Sequence, residues 1–213
     1  MGWDESFAKR ADSGSLNIGI IGLGYVGLPT AIGFRDAGFN VWGVDLSERI
    51  VNALHNGNNP LGDPDLDDMI PKPGSDRWSI TTSTKEATKE CDVLIVTVPT
   101  PVSADLKPDL SYVESAGRAV FEAAGKGSRK VVILESTVYP GATEEVCVPL
   151  LEESSGLKFN RDFYCGYSPE RIDPGNENWN FKNTPKVISG VNEKSLIMIP
   201  VSYTHLRAHE TEA

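Results

Sequence analysis

Basic residues are scarce in this chain: 20 Lys and Arg stand against 30 Asp and Glu, a formal net charge of −10 over 213 residues. That balance repels polyanions and excludes nucleic acid and anionic membrane surfaces as general partners. Any phosphate-bearing ligand has to be held by local N–H groups and individual basic residues. Long apolar runs are missing too. No stretch approaches the ~20 residues that cross a bilayer, and the first dozen residues are polar, without a secretory signal core. The cytoplasm is therefore the expected compartment. Cysteine is sparse and unpaired: Cys91, Cys147 and Cys165 stand singly, without the C-x-x-C spacing of zinc or redox sites, and read as buried thiols. Of the three histidines, His205 and His209 are spaced i, i+4 but lack a third ligand, so no metal is expected.

What the chain does contain is glycine at informative positions. Residues 17 to 34 read "NIGIIGLGYVGLPTAIGF". Ile18, Gly19, Ile20 and Ile21 form the short apolar run of a strand covered on both faces. Gly22, Leu23, Gly24, Tyr25, Val26 and Gly27 then match G-x-G-x-x-G, and a helical period follows through Ala31, Ile32, Phe34 and Ala37 to a stop at Gly38. Pro29 falls late for a first-turn proline and is expected to cost this helix a hydrogen bond. A second apolar run, "FNVWGVD", ends on Asp45, 18 positions past Gly27 (45 minus 27) and close to the roughly 20-residue spacing of a ribose-binding acid. Each part has a mechanical reason. Gly22 permits the tight turn, Gly24 lets backbone N–H groups approach a pyrophosphate at the helix N-terminus, and Gly27 allows close helix–sheet packing. Tyr25 and Val26 complete the cofactor-binding turn. Asp45 accepts hydrogen bonds from the adenosine ribose and opposes a 2′-phosphate, which favours NAD over NADP.

The α/β alternation continues without an internal repeat. "CDVLIVTVP" and "KVVILEST" are apolar runs ending in small polar residues, with the helical "DLSYVESAGRAVFEAAGKG" between them. The expected fold is α/β: a Rossmann-type, doubly wound, mostly parallel sheet with helices on both faces, spanning residues 17 to 195 after a polar, disordered extension at 1 to 16. Ligands of an open parallel sheet bind beyond the carboxyl ends of its strands. Three polar stretches fall there: "TVPTP" (97 to 101), "ESTVYPG" (135 to 141) and "YSPERIDPG" (167 to 175).

Those stretches, with "GLGYVGLP", "PDLSYVE", "ESTVYPGATEE", "SPERIDPGN" and "TPKVISG", resemble the UDP-glucose/GDP-mannose dehydrogenase family, the nucleotide-sugar 6-dehydrogenases, from about Asn17 to Gly190. The resemblance implies a Rossmann domain for NAD and oxidation of the C6 alcohol of a UDP-sugar to a carboxylate by two hydride transfers. The "PERIDPG" form looks more like the branch acting on UDP-N-acetylhexosamines. By position, Thr100 and Thr137 are implied to line the cofactor, with Thr137 also close to the reacting carbon. Glu170 is implied to lie beside the substrate, where a carboxylate takes up the alcohol proton or positions water. Arg171 is implied as a partner for an anionic substrate group.

Departures from the family pattern carry expectations of their own. Pro174 stands where UDP-glucose enzymes often have a second glutamate, and Ile50 stands where the family tends to place a basic residue, with Arg49 one step earlier. The family's central helix with its lysine and asparagine, and the loop with its nucleophilic cysteine, lie beyond residue 190 and have no counterpart here. The chain is therefore expected to be truncated before the central helix and the C-terminal substrate domain. Its last segment, within residues 200 to 213, is expected to be a translated adapter. Because the family dimerises through the central helix, the parent is expected to be a homodimer or larger, and this fragment a monomer without turnover. The alternative is a stand-alone NAD-binding regulatory module. Another Rossmann dehydrogenase, such as a hydroxyacid enzyme, is disfavoured by "ESTVYPG" with "SPERIDPG".

Overall fold

Residues 3–101, 109–124, 129–169, 187–203 and 211–212 are described in the computed structural model of the chain. The strands are β1 (Asn17–Ile21), β2 (Asn40–Val44), β3 (Trp78–Thr81), β4 (Val93–Val96), β5 (Lys130–Leu134), β6 (Phe163–Tyr167), β7 (Val187–Gly190) and the two-residue β8 (Thr211–Glu212). They form one sheet in the order β3-β2-β1-β4-β5-β6-β7-β8, in which only the β6–β7 pair is antiparallel. The order reverses between β1 and β4, and such a switch point opens a crevice at the carboxyl ends of the strands.

Helices α1 (Trp3–Asp12), α2 (Gly27–Asp36), α3 (Glu48–His55), α4 (Thr84–Glu90), α5 (Ser111–Ala124), α6 (Val148–Ser155) and α7 (Glu193–Tyr203) cover the sheet. Successive side chains on a strand point to opposite faces, which divides the core in two. Val93, Ile95, Val131 and Ile133 join Ile32 and Phe34 of α2 on one face, while Leu94, Val96, Val132 and Leu134 join Val120 and Phe121 of α5 on the other. The expected doubly wound, mostly parallel architecture is thus the one observed.

Local chemistry sets the ends of α2. Leu28 N–H bonds Gly24 O at 3.0 Å and Thr30 N–H bonds Val26 O at 3.2 Å. Pro29, between them, has no N–H for the Tyr25 carbonyl, which is the loss expected of a proline here. At the other end Gly38 N–H bonds Arg35 O and Phe39 N–H bonds Phe34 O, with Gly38 at φ 100°. These are the paired bonds of a Schellman stop, and the accompanying apolar contact is Phe34 against Phe39, centroids 5.9 Å apart.

Two boundaries differ from the sequence expectation. The extension expected to be disordered instead folds as α1, because Trp3, Phe7 and Ala11 recur every fourth residue and make one apolar stripe. Phe7 and Ala11 are buried, and Trp3 stacks on Tyr164 at 5.4 Å. Arg10 then forms a bidentate pair with Asp92, at 2.7 and 2.6 Å. At the other end, α7 runs to Tyr203 across the expected boundary, and β8 lies within the segment expected to be an adapter.

Candidate functional site

The loop between β1 and α2 is shaped by its three glycines. Gly22 has φ 100° and donates its N–H to Val44 O at 2.8 Å, a conformation open to glycine and strained for other residues. A Cβ at Gly27 would lie 1.8 Å from Gly22 O, so the start of α2 is packed directly on the loop. A Cβ at Gly24 would meet nothing within 4 Å, so this position faces open space. Gly22 thus makes the tight turn and Gly27 the close packing, while open space stands at Gly24, where the sequence places the approach of a pyrophosphate.

Asp45, at the end of β2, has each carboxylate oxygen engaged by a backbone N–H: Oδ2 accepts from Leu23 at 2.9 Å and Oδ1 from Ser47 at 2.8 Å. Each oxygen keeps a second lone pair for a further donor. The carboxylate is thus oriented before any ligand arrives. Arg49 turns away, donating to Pro60 O at 3.0 Å, and Ile50 lines the cleft in its place. Tyr25 is largely exposed, with its hydroxyl 3.4 Å from Leu61 O.

Opposite the glycine loop, the ends of β4 and β5 are tied together. Thr100 Oγ1 donates to Thr137 O at 2.6 Å, and Ser136 Oγ donates to Val98 O at 2.8 Å. Glu135 is fully buried beside them. The result is a cleft of about 450 Å³ at the switch point, lined by Gly22, Gly24, Tyr25, Val26, Asp45, Thr100 and Thr137 among others. Gly27 supports it from behind. Glu170 and Arg171 lie outside the described residues.

Thr97 was not among the residues singled out from the sequence, although it sits within "TVPTP". It is buried, lines the same cleft, and donates its hydroxyl to Gly22 O at 2.7 Å. Its only sequence signal is a hydroxyl at the end of an apolar run, which is too common to assign.

A second cleft of about 340 Å³ lies beside Val138–Gly141 and the ends of β6 and β7. The π-helical turn Thr143–Cys147 that starts there carries Glu144 and Glu145 in its first turn, and these acids oppose an anion. The first cleft is lined by Asp45 and Glu135, but the turn entering α2 is itself free of acids, and a helix N-terminus offers N–H groups and partial positive charge to a pyrophosphate.

All three cysteines are buried. Burial pushes the Cys91 and Cys165 thiols far up, and pushes Cys147 up to about 11, with Glu114 and Glu144 adding to the shift. A thiolate nucleophile needs the opposite environment.

Residues 16–206 match the UDP-glucose/GDP-mannose dehydrogenase family, NAD binding domain. The chain belongs to this family. Its NAD-binding assignment fits the glycine loop, the open approach at Gly24 and the pre-oriented Asp45. Among curated relatives, UDP-N-acetyl-D-glucosamine 6-dehydrogenase of Salmonella typhi is 43% identical over 175 residues, covering 82% of this chain and 40% of that protein. UDP-N-acetyl-D-mannosamine dehydrogenase of Pyrococcus horikoshii is 38% identical over 180 residues, covering 84% and 42%. A ternary complex of GDP-mannose dehydrogenase from Pseudomonas aeruginosa superposes with a TM-score of 0.84 at 31% identity, over 92% of this chain and 45% of the other. The chain thus spans about 40% of the length of the curated relatives it matches. Among the described residues no helix is long and apolar enough to cross a membrane.

Proposed function

We propose that this chain is the NAD-binding part of a dehydrogenase that oxidises the C6 alcohol of a UDP-N-acetylhexosamine to the uronate. The observation that carries the reading is the cleft at the β1–β4 switch point, in which the glycine turn, Asp45 and the stapled Thr100–Thr137 loops converge. NAD, when bound, accepts the hydride. Asp45 binds the adenosine ribose and opposes a 2′-phosphate, and the turn at Gly24, Tyr25 and Val26 presents N–H groups to the pyrophosphate. Thr100 holds the Thr137 backbone, which leaves the Thr137 hydroxyl to bond the alcohol or a water. Glu170 takes up the alcohol proton or orients water for the second oxidation, and Arg171 pairs with an anionic group of the substrate. A cytoplasmic location and a homodimeric or larger parent go with this reading, the second on the strength of the resemblance.

Oxidation as far as the acid needs a nucleophile at the aldehyde carbon, and each of the three thiols in this chain is buried. That observation also favours a second reading, a regulatory module that binds NAD and catalyses nothing. The test is NADH formation from a panel of UDP-sugars, run on this chain alone and on a chimera carrying the C-terminal part of the Salmonella typhi relative. Turnover of UDP-N-acetylhexosamines by the chimera alone is the expected result, with Glu170→Gln and Thr137→Ala each lowering kcat by about 10²-fold. Sustained turnover by the short chain would overturn the assignment, and NAD binding with turnover in neither would leave the regulatory module.

A further inference from the structure

We propose that Thr97 is a positioning residue for the cofactor's pyrophosphate, acting through the single peptide plane that joins Gly22 to Leu23. The inference rests on the NAD-binding reading of the cleft. A trans peptide is planar and points its C=O and N–H in opposite directions, so holding both ends fixes its orientation. Here both ends are held, from opposite sides of the loop. The Gly22 carbonyl accepts from Thr97 Oγ1 at 2.7 Å, and the Leu23 N–H donates to Asp45 Oδ2 at 2.9 Å.

The grip is specific to the hydroxyl. Thr97 Oγ1 also lies 3.1 Å from Ile21 O, but the Thr97 N–H already bonds that carbonyl at 2.9 Å, and a hydroxyl has one proton to give. The shorter contact, to Gly22 O, takes it. Thr97 is also part of the packing at the helix start: a Cβ at Gly27 would lie 2.5 Å from Thr97 Oγ1 and 1.8 Å from Gly22 O. Carbonyl, hydroxyl and glycine Cα are thus in mutual contact, and the next residues, Gly24 to Val26, line the cleft. Without the hydroxyl the part-buried Gly22 carbonyl loses its partner, the peptide can rotate, and the Leu23 N–H leaves Asp45. The turn that presents N–H groups to the pyrophosphate and the carboxylate that takes the ribose loosen together. Thr97 is thereby coupled to both contacts while touching neither.

The test compares wild type, Thr97→Ala and Thr97→Ser by calorimetric titration with NAD well below their melting temperatures, together with amide hydrogen exchange of the ligand-free proteins. Thr97→Ala is expected to weaken NAD binding about tenfold, the scale of one hydrogen bond, and to lower the protection of the Leu23 amide by a similar factor. Thr97→Ser keeps the donor and should restore both. If Thr97→Ala does not fold, Thr97→Val fills the space without donating and carries the same expectation. Unchanged NAD affinity or unchanged Leu23 protection in the variant lacking the hydroxyl would overturn the proposal, as would equal losses in the Ser variant. A wild-type protein that does not bind NAD would instead remove the cofactor reading on which the proposal rests.

Discussion

At the amino ends of the strands, polar side chains tie a helix to the strand starts; at the carboxyl ends they hold loop backbone around a cleft. Arg10 of α1 meets Asp92 ahead of β4, the same carboxylate accepts the Asn17 N–H at 2.9 Å, and the buried Lys130 ammonium donates to the Cys91 carbonyl. Desolvation pulls the Lys130 pKa down, and Asp92 partly offsets that pull. On the opposite edge Asp45, Thr97, Thr100 and Ser136 hold loop backbone in place and leave a cleft between them. The first arrangement closes a helix onto the sheet. The second shapes a cleft bordered by the glycine turn. The contrast fits the proposed binding of an anionic dinucleotide by an acidic chain, in which polar side chains on that edge aim the backbone toward the cleft.

Substitutions at the two edges should therefore move different quantities. The largest effect is expected from Gly27→Ala, where the new methyl would meet the Gly22 carbonyl at 1.8 Å. Overpacking against backbone should cost about 3 kcal/mol, a fall in Tm of roughly 6–12 °C for a domain of this size, measurable by calorimetric melting. Gly24→Ala sharpens the contrast, because a Cβ there has no atom within 4 Å. Its Tm should match wild type while NAD affinity falls about 10- to 100-fold in a titration, since the methyl occupies the space a pyrophosphate approaches. A lowered Tm in this variant would contradict the open approach.

Asp45→Ala should weaken NAD about tenfold and leave NADP affected less, so that the preference between the two, read by paired titrations, narrows. Equal affinity for both cofactors in the wild type would break the adenosine assignment. The smallest effect is expected at the amino edge. Arg10→Ala removes a bidentate pair, but the Arg10 side chain is 42% exposed and water screens it, so the loss should be about 1 kcal/mol or less, roughly 2–4 °C in Tm. NAD affinity should not change. If it does, the two edges are coupled through the sheet and the separation argued above fails.

Much of the fold was legible because its causes are local. The apolar run at Ile18–Ile21, the glycine spacing and the Gly38 stop each act within one or two turns of chain, and the structure has strand, turn and helix where they indicated. Of the residues singled out for the site, Gly22, Gly24, Tyr25, Val26, Asp45, Thr100 and Thr137 line one cleft, while Glu170 and Arg171 lie outside the described residues. Thr97 was not legible, since nothing in a strand-end threonine says which carbonyl it will meet. Nor was α1, whose polar composition masked a stripe of Trp3, Phe7 and Ala11 that packs on the core.

Sequence by itself determined the β-α-β unit, the acid at the end of its second strand and, through the ordered motifs, the family. Backbone geometry and nearest-neighbour sterics suffice for the first two of these, because glycine at positive φ and a period of 3.6 act over a few residues. Only the tertiary structure decided that Thr97 grips Gly22 across 75 residues, that Arg10 latches Asp92 across 82, and that Ile50 and not Arg49 lines the cleft. Each of these depends on which strands become neighbours in the sheet. That choice is made by the burial of two apolar faces at once, a sum over the whole domain that no short stretch of residues contains.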